Sequence, residues 1–249
     1  MGNLIKAEWY KLRKDRSFWF LILLLLATSI FYPLLIIFDE GAELIKISNF
    51  YQSDLLNANI YVIKLIPCIL AGFFISKEYS SGTMKNIVSS GNSRARIYFA
   101  KLIVFSIGAV IISIIIPIFL TGTMGAYLGF PDMPEWSYFV KTLGFIILYA
   151  AAFASLMTFF ATILTDSGKA IAFMIIFFQM AEGILTTIAE YIPFFEPLVK
   201  NSIFYLLWNI ENVGSLNSKD LLNMIFVPVI SFAVFGGLGG IVFRKKEIK

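Results

Sequence analysis

Six long apolar runs separated by short polar stretches set the pattern of this chain. About 20 apolar residues are what an α-helix needs to cross the ~30 Å hydrocarbon core of a bilayer. The pattern predicts spans at 18–38, 58–76, 102–120, 137–164, 170–190 and 221–243. Pro33 in the first is tolerable where a neighbouring helix satisfies the carbonyl it frees. Glycines 236, 237, 239 and 240 in the last let another helix approach closely. Ahead of the first span, at 3–16, Ile5, Trp9 and Leu12 recur at i, i+4 and i+7 with basic residues on the other faces. That is either an amphipathic helix lying along the membrane surface, with Trp9 among the headgroups, or a plain basic flank. The stretches 39–57 and 122–136 read as outside connections, the second rich in Gly and Pro. Residues 191–218 are too apolar for a solvated loop and too broken by proline for a clean span. One or two short helices dipping into the outer leaflet fit them; a seventh span would put the basic C-terminus outside.

Composition agrees with a membrane solvent. Hydrophobic residues make up 59% of the 249, charged ones 14%, and no soluble domain needs so much apolar surface. The fold class is therefore all-α and polytopic. The net charge of +4 comes from clusters flanking the apolar runs and is no nucleic-acid signature. Inside segments hold 15 basic residues and outside ones three (Lys46, Lys200, Lys219), against Asp39, Glu40, Glu43 and Asp54 in the first outside loop. The positive-inside rule thus places both termini, with the tail 244–249, in the cytoplasm. The long basic region and full-length first run argue against a cleaved signal peptide. With no histidine and the single Cys68 inside an apolar run, His-based triads, Cys/His zinc sites and an internal disulfide are excluded.

The polar island at 77–101 carries Lys77, Lys85, Arg94, Arg96 and Lys101 against one acid, Glu78. Thr83 to Ser90 reads as a two-turn helix, capped by Thr83 and ended by Gly91, after which Ser93 caps the next helix. Met84, Ile87 and Val88 form one small apolar face. Headgroups or the chain's own bundle would cover that face, or else a cytoplasmic partner docks on it. The sequence EYSSGTMK at 78–85 followed by SRARIYFAK at 93–101 resembles the ABC-2 type permeases. The resemblance implies an N-terminal elbow helix (Ile5, Trp9, Leu12) and a coupling helix seated in a cleft of a separate ATP-binding subunit. The coupling residues it implies are Glu78, Tyr79, Gly82, Thr83, Met84, Lys85, Ile87 and Val88, with Glu78 pairing with Arg94, Arg96 or a partner's basic group. It further implies a dimer of ATP-binding subunits holding the ATP and magnesium, and a second permease copy or sister subunit. Permeases of this size that it resembles expel bacteriocins, peptide antibiotics or cytolytic peptides.

No catalytic or metal-ligating constellation emerges from the sequence. TDSGK at 165–169 is not a phosphate loop, because its first glycine position is Ile163 and Ala170 follows the lysine. The chain has no P-loop route to ATP hydrolysis and reads as a transport subunit with no cofactor of its own. A stand-alone channel or ion-coupled transporter is the alternative, yet it usually needs several intramembrane acids. Lys64 and Glu182 each lie 12 residues from the inner end of their spans, about 18 Å up. At matched depth they suggest an ion pair or two groups lining one wet cavity. The other reading has Lys64 snorkelling outward and Glu182 protonated or hydrogen-bonded to Gln179.

Overall fold

The computed structural model describes residues 1–42, 45–130 and 132–247. Glu43, Pro131 and Lys249 of the sequence reading lie outside these. The described residues are helical with no strand, and six helices are long and apolar enough to cross a membrane.

Helix α1 (Gly2–Lys14) is the short N-terminal helix, its last turn carrying Lys11, Arg13 and Lys14 where the helix dipole favours cations. It ends at Asp15, which adopts an extended conformation and caps the next helix by accepting from Ser17 N (2.7 Å) and Phe18 N (3.2 Å). Helix α2 (Arg16–Glu40) is the first span. Its Pro33 removes the donor for the Ser29 carbonyl, and Thr123 Oγ1 from a neighbouring helix donates to that oxygen instead, at 2.5 Å.

Two connections that read as loops are partly helical. Helix α3 runs continuously over Ile47–Ser80, and helix α5 over Arg94–Leu128. Both exceed the spans expected at 58–76 and 102–120. Ile47, Tyr51, Leu55 and Leu56 are buried, so the polar-looking start of α3 is packed and joins the bundle. Gly122 and Gly125 sit within α5, and a Cβ at Gly125 would lie 2.8 Å from the Phe130 ring. The glycine there serves packing; the chain turns only at Gly129, whose φ of 86° suits glycine alone. Both long helices contain π-helical turns, at Tyr51–Leu55, Gly72–Ser76 and Ile116–Leu120. A Cβ on Gly72 would collide with Ile171, so the turn at 72–76 lets another helix approach closely.

Between α3 and α5 lies α4 (Thr83–Ser89). Helix α6 (Trp136–Ile163) leads to α7 (Ser167–Tyr191), which Asp166 caps through Lys169 N at 2.9 Å. The stretch after it forms two short helices, α8 (Glu196–Lys200) and α9 (Ile203–Trp208), flanked by 3₁₀ turns. Phe204 of α9 meets Phe153 of α6 edge-on and Phe178 of α7 at a tilt, which ties this stretch to the bundle. Helix α10 (Ser218–Lys245) completes the fold. Helices α3, α5 and α6 form the buried centre, whereas α2, α7 and α10 keep most of their apolar surface exposed. The glycines of α10 are used as their spacing suggests: a Cβ at Gly239 would overlap the Tyr98 ring, and one at Gly236 would meet Leu102 at 3.0 Å.

Candidate functional site

One end of the bundle collects α1, the end of α3, α4, the start of α5 and the end of α10. Four charged side chains bind α1, α3 and α5 together there. Glu8 accepts from Lys11 at 2.8 Å and from Lys101 at 2.9 Å, and Glu78 accepts from Lys11 at 3.0 Å. Glu78 also makes an ion contact with Lys101 at 2.5 Å. Glu8 and Lys101 are almost wholly buried, and the Lys101 ammonium lies 5.6 Å from the centre of the Phe74 ring. Two acids and two lysines alternate, so each buried charge has two opposite neighbours, the arrangement that offsets desolvation best. Burial pushes the Glu8 carboxyl up, but Lys101 and Lys11 outweigh it and hold the group below its ordinary value. Burial likewise opposes the charge on Lys11, and Glu78 and Glu8 still raise it.

This corrects the expected partners of Glu78. Arg94 donates to the carbonyls of Arg244 (3.1 Å) and Lys246 (2.6 Å) and is spent on the C-terminal segment. Arg96 is exposed. Glu8 escaped the sequence reading, although an acid on the same helical face as Ile5 and Leu12 is itself a signal of a buried partner. That face is docked: Leu12 is fully buried, Ile5 and Trp9 pack on the core, and a Cβ at Gly108 would lie 3.2 Å from Leu12.

The apolar face of α4 is covered by the chain itself. Met84 is fully buried in a cluster with Ile97, Tyr98, Leu102 and Phe243, against which Ile87, Val88 and Tyr79 pack half-buried. Met84 therefore has no surface to offer a partner in this arrangement. The reason is α10, which brings Phe243 and its glycines under the island. The Tyr79 ring meets Phe243 edge-on, and Lys246 Nζ stands 4.5 Å from its centre while donating to the carbonyls of Thr162 and Ile163. What α4 leaves exposed is Thr83, Lys85, Asn86 and Ser89. Gly82, with φ of 71°, starts the helix; Thr83 is its first residue and donates back to the Glu78 carbonyl at 3.2 Å, so it does not cap as expected. Gly91 takes φ of 83°, and Ser93 accepts from Arg96 N at 3.4 Å.

Deep in the bundle the structure brings Lys64 and Glu182 together at 3.0 Å. The Lys64 ammonium also faces the Tyr61 ring at 5.1 Å and the Trp208 ring at 5.4 Å. A carboxylate and two aromatic faces enclose one ammonium, each favouring the charge. Gln179 lies on the exposed side of α7 and makes no hydrogen bond among the described residues. Trp208 was not singled out by the sequence, because it belongs to the short helices whose placement only the fold decides. Among the described residues no cluster of His, Cys, Asp and Glu has the grouping of a metal site.

Against known families, the profile of one described as "ABC-2 family transporter protein" matches residues 4–178. No curated protein matches the sequence. The matched part contains most of α1, the four-charge cluster, α4 and Lys64.

Proposed function

This chain belongs to the ABC-2 transporter family, and from that premise we propose that it is the permease of an exporter driven by a separate pair of ATP-binding subunits. It acts with a second permease, identical or sister, in the cytoplasmic membrane, and its basic end faces the cytoplasm. Its cargo is a peptide or another amphipathic antimicrobial, as in the permeases it resembles.

The observation that carries the reading is the mounting of α4. A seven-residue helix has too few turns to hold itself. Here it is held from beneath by Met84 and flanked by the charge cluster, so its polar side is presented on a rigid base. The partner surface is accordingly Thr83, Lys85, Asn86 and Ser89, and not the Met84 face. Lys85→Glu combined with Ser89→Trp should weaken co-purification with the ATP-binding subunit at least tenfold and abolish substrate-stimulated ATP hydrolysis, while leaving the permease's own thermal stability unchanged. Met84→Asp should instead lower that stability, because it buries a carboxylate among aromatic rings. Unchanged binding and stimulation in the Lys85/Ser89 variant would overturn the assignment.

A further inference from the structure

Beside α1, the exposed surface of the bundle carries an apolar groove between α2 and α3. Phe20, Leu21, Leu24, Ile66, Ile69 and Phe73 wall it, and its volume is about 350 Å³. Arg16 lines its basic end. One turn beyond Phe73, the Lys77 ammonium lies 6.0 Å from the centre of that ring, so a second cation stands at the same mouth. Both side chains are exposed, and among the described residues neither enters an ion pair. The acids nearest in sequence are committed elsewhere: Asp15 to the amides of Ser17 and Phe18, Glu78 to Lys11 and Lys101.

We propose that this groove is a binding site for one anionic phospholipid, its phosphate held between Arg16 and Lys77 and one acyl chain laid along the α2–α3 walls. An apolar channel that ends in two uncompensated cations matches an amphiphile with an acidic head, and a soluble phosphate would leave the channel empty. The groove on α7 lined by Phe173, Ile176, Phe177, Met180, Ile184 and Phe204 makes the contrast. No charged residue lines it, so it has no means of preferring one headgroup over another. Of these two grooves the α2–α3 one has the means to prefer acidic lipid, and that preference does not depend on what the chain transports.

The test uses the full chain purified in detergent and titrated with phosphatidylglycerol, phosphatidylcholine or glycerol phosphate, read by native mass spectrometry and by melting temperature. Phosphatidylglycerol should be retained and protective. Phosphatidylcholine should bind at least tenfold more weakly, and glycerol phosphate should do nothing at the same concentration. Arg16→Gln with Lys77→Gln should cost roughly tenfold or more in phosphatidylglycerol affinity, since each basic residue near an anionic lipid surface contributes about fivefold. Lys6→Gln with Lys169→Gln removes the same charge away from the groove and should change nothing. Ile69→Trp, which fills the channel and keeps both cations, should also lose the lipid. Equal retention of the two lipids, an equal loss in the Lys6/Lys169 variant, or undiminished binding to the Ile69 variant would each overturn the site.

Discussion

The Lys64 side chain is 3% exposed and that of Glu182 25%, and this asymmetry ranks the pair. Losing Glu182 strands an ammonium enclosed on every side, whereas losing Lys64 leaves a carboxylate at a part-exposed edge of the bundle. Glu182→Met should therefore destabilise the protein by about 3 kcal/mol or more. Lys64→Met should cost less, and the double variant should recover part of the Glu182 loss. Melting curves of the three proteins in detergent decide it; equal losses in both single variants with no recovery would show that the two charges act separately. At this scale the sequence was partly readable. Equal distance from the inner ends put Lys64 and Glu182 at one depth, and depth is set by helix rise alone. The four-charge cluster was not readable, because Glu8, Lys11, Glu78 and Lys101 converge only once α1 docks on α5.

Among elements, the contact of α10 with α5 rests on glycine. The Tyr98 ring occupies the place where Gly239 would carry a Cβ, while Gly237 has nothing within 4 Å of that position. Gly239→Ala should cost about 1–3 kcal/mol through forced separation of the helices, and Gly237→Ala should be neutral or slightly stabilising. Thermal unfolding of the two variants measures the difference, and a Gly239 variant as stable as the parent would mean that the contact yields easily. The glycine spacing announced such an approach, but not which helix would make it. The α4 stripe shows the same limit more sharply: apolar residues at i, i+3 and i+4 establish that a face is covered, and say nothing of what covers it. Here the cover is Ile97, Tyr98 and Leu102 of α5 together with Phe243 of α10. Length was misread for a related reason. The starts of α3 and α5's outer end are mixed in polarity because they cross from apolar surroundings toward a packed, partly polar end, where hydropathy no longer tracks helix boundaries.

For the whole molecule, six spans and an all-helical fold were legible, since a bilayer admits few other solutions for such a pattern. Sidedness rests on charge, and it has a direct check. Asn49, Asp132 and Asn212 are all exposed, and they cluster at one end, where Ser48 N donates to the Asp132 carbonyl and Gln52 to the Glu211 carbonyl. Ser89 is exposed on α4 with the basic segments. Single cysteines at the first three positions should react with an impermeant maleimide on intact cells, and one at position 89 only after permeabilisation. Cys68, fully buried, should stay unreactive in both cases. Outside labelling at 89 would reverse the map.

The ion cluster has a consequence for biosynthesis. Glu8 precedes its buried partner Lys101 by 93 residues, and Lys246, which donates to the Thr162 and Ile163 carbonyls, comes later in the chain than both. During synthesis from the N-terminus, α1 has no reason to leave the headgroup layer until α5 has been inserted. The island beneath α4 stays open until α10 arrives with Phe243. Chain order thus becomes assembly order, and a nascent chain halted before α10 would show Met84 and its aromatic neighbours to the quality-control machinery of the cell.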